Sequence, residues 1–139
     1  MRSPALPAVL LALSACGPSS VRVVMNAENN SGQSGYATIT EKGTSAVVEI
    51  VIGKSDDPRP QNAHVHPGRC GELGAIKAPL TALQATDADP DHFRSTTDPV
   101  KLTDGTEMTF KDLTAPGAYV LNVHDVRDAS LYVSCGNVN

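Results

Sequence analysis

Tryptophan is absent from the 139 residues, and the aromatic complement is two phenylalanines and three tyrosines. A core must therefore rest on aliphatic side chains, in a chain long enough for one domain of modest core and too short for two ordinary ones. Basic residues are also scarce, 11 Lys and Arg against 15 Asp and Glu, for a net charge of −4. No basic run or basic helix with interleaved aromatics is present, which argues against nucleic acid as a partner, while an acidic surface favours cations. No stretch of ten or more residues carries capped helical periodicity, and no internal repeat appears. A glycine-rich phosphate loop and a serine or cysteine nucleophile arrangement are likewise missing.

What is present begins at the N-terminus. An arginine at position 2, a short apolar run over Ala5 to Leu13 broken by Pro7, and small residues before Cys16 have the order of a secretory signal. The run is shorter than the about 18 apolar residues a membrane span requires. Leu13-Ser14-Ala15-Cys16 resembles the lipobox of bacterial lipoproteins. That resemblance implies cleavage after Ala15 and a lipid anchor on Cys16, outside the cytoplasm in the cell envelope, on the periplasmic or extracellular face. The expected organisation is a signal peptide over 1–15, a lipidated cysteine and tether over 16–20, and one domain over 21–139. Loss of Arg2 leaves 10 basic against 15 acidic residues, a mature charge of −5.

Cys70 and Cys135 are the remaining cysteines. In an exported domain a disulfide between them is expected, against two alternatives, a pair of buried thiols or a two-thiolate metal site. Closing their separation of 65 residues would stabilise the fold by about 4 kcal/mol, a large share for a core so poor in aromatics.

Val21 to Glu28, Tyr36 to Thr40 and Ala46 to Ile52 are β-branched runs divided by turn residues, the pattern of antiparallel strands. Ser55 to Pro60 predicts a rigid loop, and Asn62 to His66 alternates as a strand. Cys70 to Asp98 predicts a long excursion with little regular structure, holding at most one helical turn. Regularity resumes at Val100 to Leu102, Glu107 to Phe110, Tyr119 to His124 and Ser130 to Ser134, with an Asp104-Gly105 hairpin turn. Seven to eight short strands predict an all-β barrel or sandwich.

The four histidines are His64, His66, His92 and His124. His64 and His66 are two apart in a strand, so both rings leave one side of the sheet, and His124 shares a face with Asn122 opposite to Leu121 and Val123. Three imidazoles suit copper, at which the affinity order of divalent metals peaks. Met25 and Met108 are possible soft auxiliary ligands or core filler. Asp87 to Asp98 has some spacing of a calcium loop, but histidine occupies the glycine position and proline intrudes, so it reads as a solvated acidic loop. Asp125 could orient His124, although adjacent strand residues point apart.

His64-Val65-His66-Pro67-Gly68-Arg69-Cys70, Tyr119 to Asp125 and Val133 to Val138 together resemble the copper/zinc superoxide dismutase family. The resemblance implies a Greek-key barrel, one copper on His64, His66 and His124, and a Cys70–Cys135 bridge. The chain departs from the family in having no histidine between Cys70 and Asp91, so neither a bridging imidazole nor a zinc site is expected. His92 is the one spare imidazole, either a cap on a fourth copper position or an ordinary loop histidine. Tyr132 occupies the place of the family's anion-orienting arginine; Arg69 and Arg127 are the cations nearest the motif segments in sequence.

The first functional expectation is a copper-binding envelope lipoprotein that sequesters, buffers or delivers the ion, with a copper-transfer protein as a partner. The alternative is a copper-only superoxide dismutase, whose reaction would centre on the ion at His64, His66 and His124 with superoxide as substrate. A metal-free binding or structural barrel is the third.

Overall fold

The computed structural model describes Met1 and residues 16–139, so the expected signal segment lies, apart from Met1, outside the described residues. Among the described residues nine strands form: β1 (Ser20–Ala27), β2 (Gly35–Lys42), β3 (Ser45–Gly53), β4 (Gln61–Arg69), β5 (Glu72–Leu73), β6 (Ala78–Thr86), β7 (Asp89–Thr97), β8 (Tyr119–His124) and β9 (Tyr132–Asn137). One turn of helix, α1 (Phe110–Leu113), precedes β8.

Eight strands pair antiparallel in the order β4-β6-β7-β3-β2-β1-β9-β8, and β8 returns to β4 to close the ring. Closure leaves this ring no free edge to pair with another chain. The connections from β3 to β4 and from β7 to β8 each pass over two strands, which makes this a Greek-key barrel, the expected fold class. β5 is a short addition on the end of β4.

Alternation explains why these segments are strands. Val23 and Met25, Ala37 and Ile39, Val48, Ile50 and Ile52, Ala63 and Val65, and Leu121 and Val123 face inward at period two and are buried. Met25 and Met108 belong to this interior, as core filler rather than ligands.

The stretch Cys70 to Asp98 differs from the expected excursion. β6 and β7 form a hairpin around Asp87 and Ala88, with Thr86 opposite Asp89. Leu80, Leu83 and Phe93 carry its inner face, and irregular register around Leu83 and between Gln84 and Thr86 breaks the period that alternation depends on. The acidic run is this hairpin, with the Asp89 carboxylate held by His92 and Arg94. The helical turn also lies elsewhere than expected: Phe110–Leu113 replaces part of the strand predicted at Glu107 to Phe110, because the Thr109 side chain accepts from the Asp112 amide and caps it. The Asp104-Gly105 turn forms as expected: the Gly105 amide donates to the Leu102 carbonyl at 2.9 Å and the Leu102 amide to the Thr106 carbonyl at 2.8 Å, with Lys101 bridged antiparallel to Glu107.

Candidate metal centre

β4 and β8 are direct neighbours, with His64 opposite Asn122 and His66 opposite Val120. Since side chains two apart share a face, His64, His66, Asn122 and His124 all leave the barrel on its outer side. The ring centroids lie 5.7 Å apart for His64 and His66, 4.9 Å for His64 and His124, and 6.4 Å for His66 and His124. One nitrogen of each ring comes within 4.8 Å of the others, close enough to share an ion.

Backbone carbonyls set which nitrogens face inward. His66 Nδ1 donates to the Gly74 carbonyl at 2.8 Å and His124 Nδ1 to the Ala129 carbonyl at 2.9 Å. Each bond leaves Nε2 as a bare lone pair, the form that binds metals. His66 Nε2 is buried and has no hydrogen-bond partner, an arrangement that costs free energy unless something binds there. His124 Nε2 accepts from His64 Nδ1 at 2.9 Å and from Asn122 Nδ2 at 3.2 Å. The residues therefore fit a metal ion: His64 Nδ1 and the Nε2 atoms of His66 and His124 converge on one place.

Electrostatics favour the neutral rings that ligation needs. Burial, and then repulsion from His124 and His66, pushes His64 down to about 4. Burial also lowers His124. Uncharged imidazoles at neutral pH release no protons on binding a cation, which favours uptake.

The loop between β4 and β6 is fastened beside the centre. Cys70 and Cys135 form a disulfide with Cα atoms 5.9 Å apart, and the Cys70 amide donates to Asn137 Oδ1 at 2.8 Å. Cys135 is opposite Asn122 across β8 and β9. The Gly74 amide donates to the Pro67 carbonyl at 2.8 Å, which presents its own carbonyl to His66. Gly68 has φ +104°, and a Cβ there would lie 2.3 Å from the Glu72 carbonyl oxygen, so this loop closes only over glycine.

No known family, curated protein or solved structure matches the chain.

Several candidates named from sequence stand elsewhere. His92 is on β7 opposite Gly53, exposed, with Nδ1 2.8 Å from Asp89, and is not part of the three-histidine group. Arg69 pairs with Glu72 in solvent, and Arg127 stands 3.8 Å from Asp125. Asp125 accepts from the Arg127 and Asp128 amides rather than from His124. Cys16 is exposed and outside the disulfide.

Residues that sequence reasoning missed also shape the site. A cavity of about 400 Å³ opens beside His64 and His124, lined by Arg59, Ile76, Asp125 and Val126. Arg59 is tied to Asp57 by two hydrogen bonds of 2.9 and 2.7 Å, a contact that holds the Asp57 carboxyl down at about 2. Gly74 and Ala129 act through carbonyl oxygens, for which residue type carries no signal. Asn122 could have been noticed as a polar residue on the histidine side of β8.

Proposed function

We propose that the protein holds one copper ion on His64, His66 and His124, as an exported domain anchored by lipid on Cys16, and that it sequesters, buffers or delivers the ion. The observation that carries this reading is the convergence of three imidazole nitrogens, two of them on rings oriented by carbonyls. All-nitrogen donors at a tight site favour copper over the other divalent first-row metals. His64 and His124 are only half-buried beside an open cavity, which suits exchange of the ion with a copper-transfer protein. The disulfide supports an oxidising compartment, as an exported lipoprotein would occupy.

Metal analysis of the purified protein tests the assignment, with one copper per chain expected and its loss in the His124→Ala variant. Stoichiometric zinc without preference for copper overturns it. Lipidation is tested by fatty-acid labelling, which Cys16→Ser should abolish while releasing the protein from membranes.

Superoxide dismutation is the second reading, favoured by the resemblance of the motif segments and by Arg59 lining the cavity next to the histidines. Bound copper would supply the one-electron exchange between its two oxidation states. The protein would supply the oriented ligands, but the Arg59 charge is matched by Asp57 and faces Asp125, which weakens attraction of an anion. Rapid superoxide decay by the copper-loaded protein, lost in His124→Ala, would establish the enzyme; copper transfer to a chelator without turnover would establish the carrier.

A further inference from the structure

Asn122 is wholly buried, yet its side chain has a single polar contact. Nδ2 donates to His124 Nε2 at 3.2 Å, and Oδ1 has no partner at all. An amide in such a place, between Cys135 on one side and His64 on the other, is an expensive choice where an apolar residue would pack equally well. The bond it does make is compromised. His124 Nε2 offers one lone pair, since its other ring nitrogen carries the proton given to Ala129, and His64 Nδ1 already claims that lone pair at 2.9 Å.

The same lone pair is what His124 would give to a metal. Once it is given, the Asn122 amino group has nothing to donate to and faces a cation. Rotation of the amide about its last side-chain bond exchanges the two ends. The unpartnered oxygen then takes the position now held by Nδ2, next to the His124 ligand nitrogen.

We propose that Asn122 is a fourth, oxygen ligand of the metal centre, turning its amide oxygen toward the ion held by His64, His66 and His124. This inference rests on the metal-centre reading above. An amide oxygen is a harder donor than imidazole, so Asn122 biases the site toward the more oxidised state of copper.

The test is titration of the protein with each oxidation state of copper against a competing chelator, together with the visible and electron paramagnetic resonance spectra of the oxidised form. Asn122→Leu should weaken oxidised copper by about tenfold, in the range that supporting residues command, change reduced copper less, and alter the spectra. The metal-free variant should unfold at the same temperature or higher, because a partnerless polar group has been removed. Asn122→Asp, which keeps the shape and adds charge, should bind oxidised copper more tightly than the parent with its own shifted spectrum. Should Asn122→Leu fail to fold, Asn122→Asp decides alone. Wild-type copper binding accompanied by unchanged affinity and spectra in the folded variants overturns the role of Asn122 and leaves the three-histidine centre standing. Failure of the wild-type protein to bind copper overturns both.

Discussion

Histidine occurs in two settings in this barrel, and the settings have little in common. On the β4–β8 face, three rings turn a nitrogen toward one another, two are positioned by carbonyls, and a disulfide fastens the covering loop. On the β6–β7 hairpin, His92 stands in solvent against the Asp89 carboxylate. The first arrangement gathers ring nitrogens without any compensating charge and leaves His66 Nε2 unmet, and the second satisfies a ring locally. An imidazole is thus defined as a ligand by what its neighbours withhold from it, and the two regions should respond to perturbation very differently.

The largest contrast should come from breaking the staple. Replacing Cys70 and Cys135 by serine is expected to lower stability by about 4 kcal/mol on the loop-closure estimate, within a usual range of about 2–5 kcal/mol. Urea denaturation of the two forms measures it. Because Gly74 lies in the released loop, the reduced protein should also bind copper more weakly, while the β6–β7 hairpin keeps its amide-exchange protection. Equal copper affinity with and without the bridge would show that the loop holds His66 unaided.

Next in size is removal of a ligand. His64→Ala should reduce copper affinity by more than about 100-fold, beyond what loss of a merely supporting residue costs. His92→Ala should leave affinity within twofold of the parent. A competition titration on both variants sharpens the comparison directly, and comparable losses would place His92 in the site after all.

Acid should separate the regions by protonation. The His64 ring titrates near 6.5 when unfolded and about 4 when folded, because burial and the neighbouring rings oppose its charge. Below 6.5 the unfolded chain takes up a proton that the folded chain refuses, so this contribution to stability is full above 6.5 and lost as pH falls toward 4. Thermal melts of the metal-free protein between pH 7.5 and 4 should show that decline. The His64→Ala variant should show a shallower one; identical slopes would mean that His64 is free to charge in the folded state.

How much of this was readable in advance differs along the chain. Val21 to Ile52 carries its strands openly, since alternate residues face core and solvent until Val51, which is buried between Ile50 and Ile52. His64, His66 and His124 could be named because period two assigns each ring a side. The β6–β7 hairpin was hidden by irregular register that shifts inward positions such as Leu83 out of step, and by prolines at 79 and 90. Gly74 and Ala129 could not be found, because a carbonyl's role depends on where the loop brings it. Asn122 was visible as a polar residue but had no assigned part until its oxygen proved to be both buried and without a partner.

The smallest effect belongs to the hairpin itself. Asp89 is held below the usual carboxylate range, first by its hydrogen bond with His92 and more weakly by Arg94. The partners are solvent-exposed, and water screening leaves exposed pairs of this kind little net effect on stability. Asp89→Asn should therefore change the urea midpoint only slightly and leave copper affinity unaltered. Its contribution is present above about pH 4, where the unfolded carboxyl is ionised, and fades as pH falls below that. The acid loss from Asp89 thus begins where the loss from His64 is ending, so the two regions should be distinguishable once the series of melts is carried below pH 4. An Asp89→Asn variant that weakened copper binding would mean the hairpin and the three-histidine face are coupled through the barrel, and the separation drawn between them would be wrong.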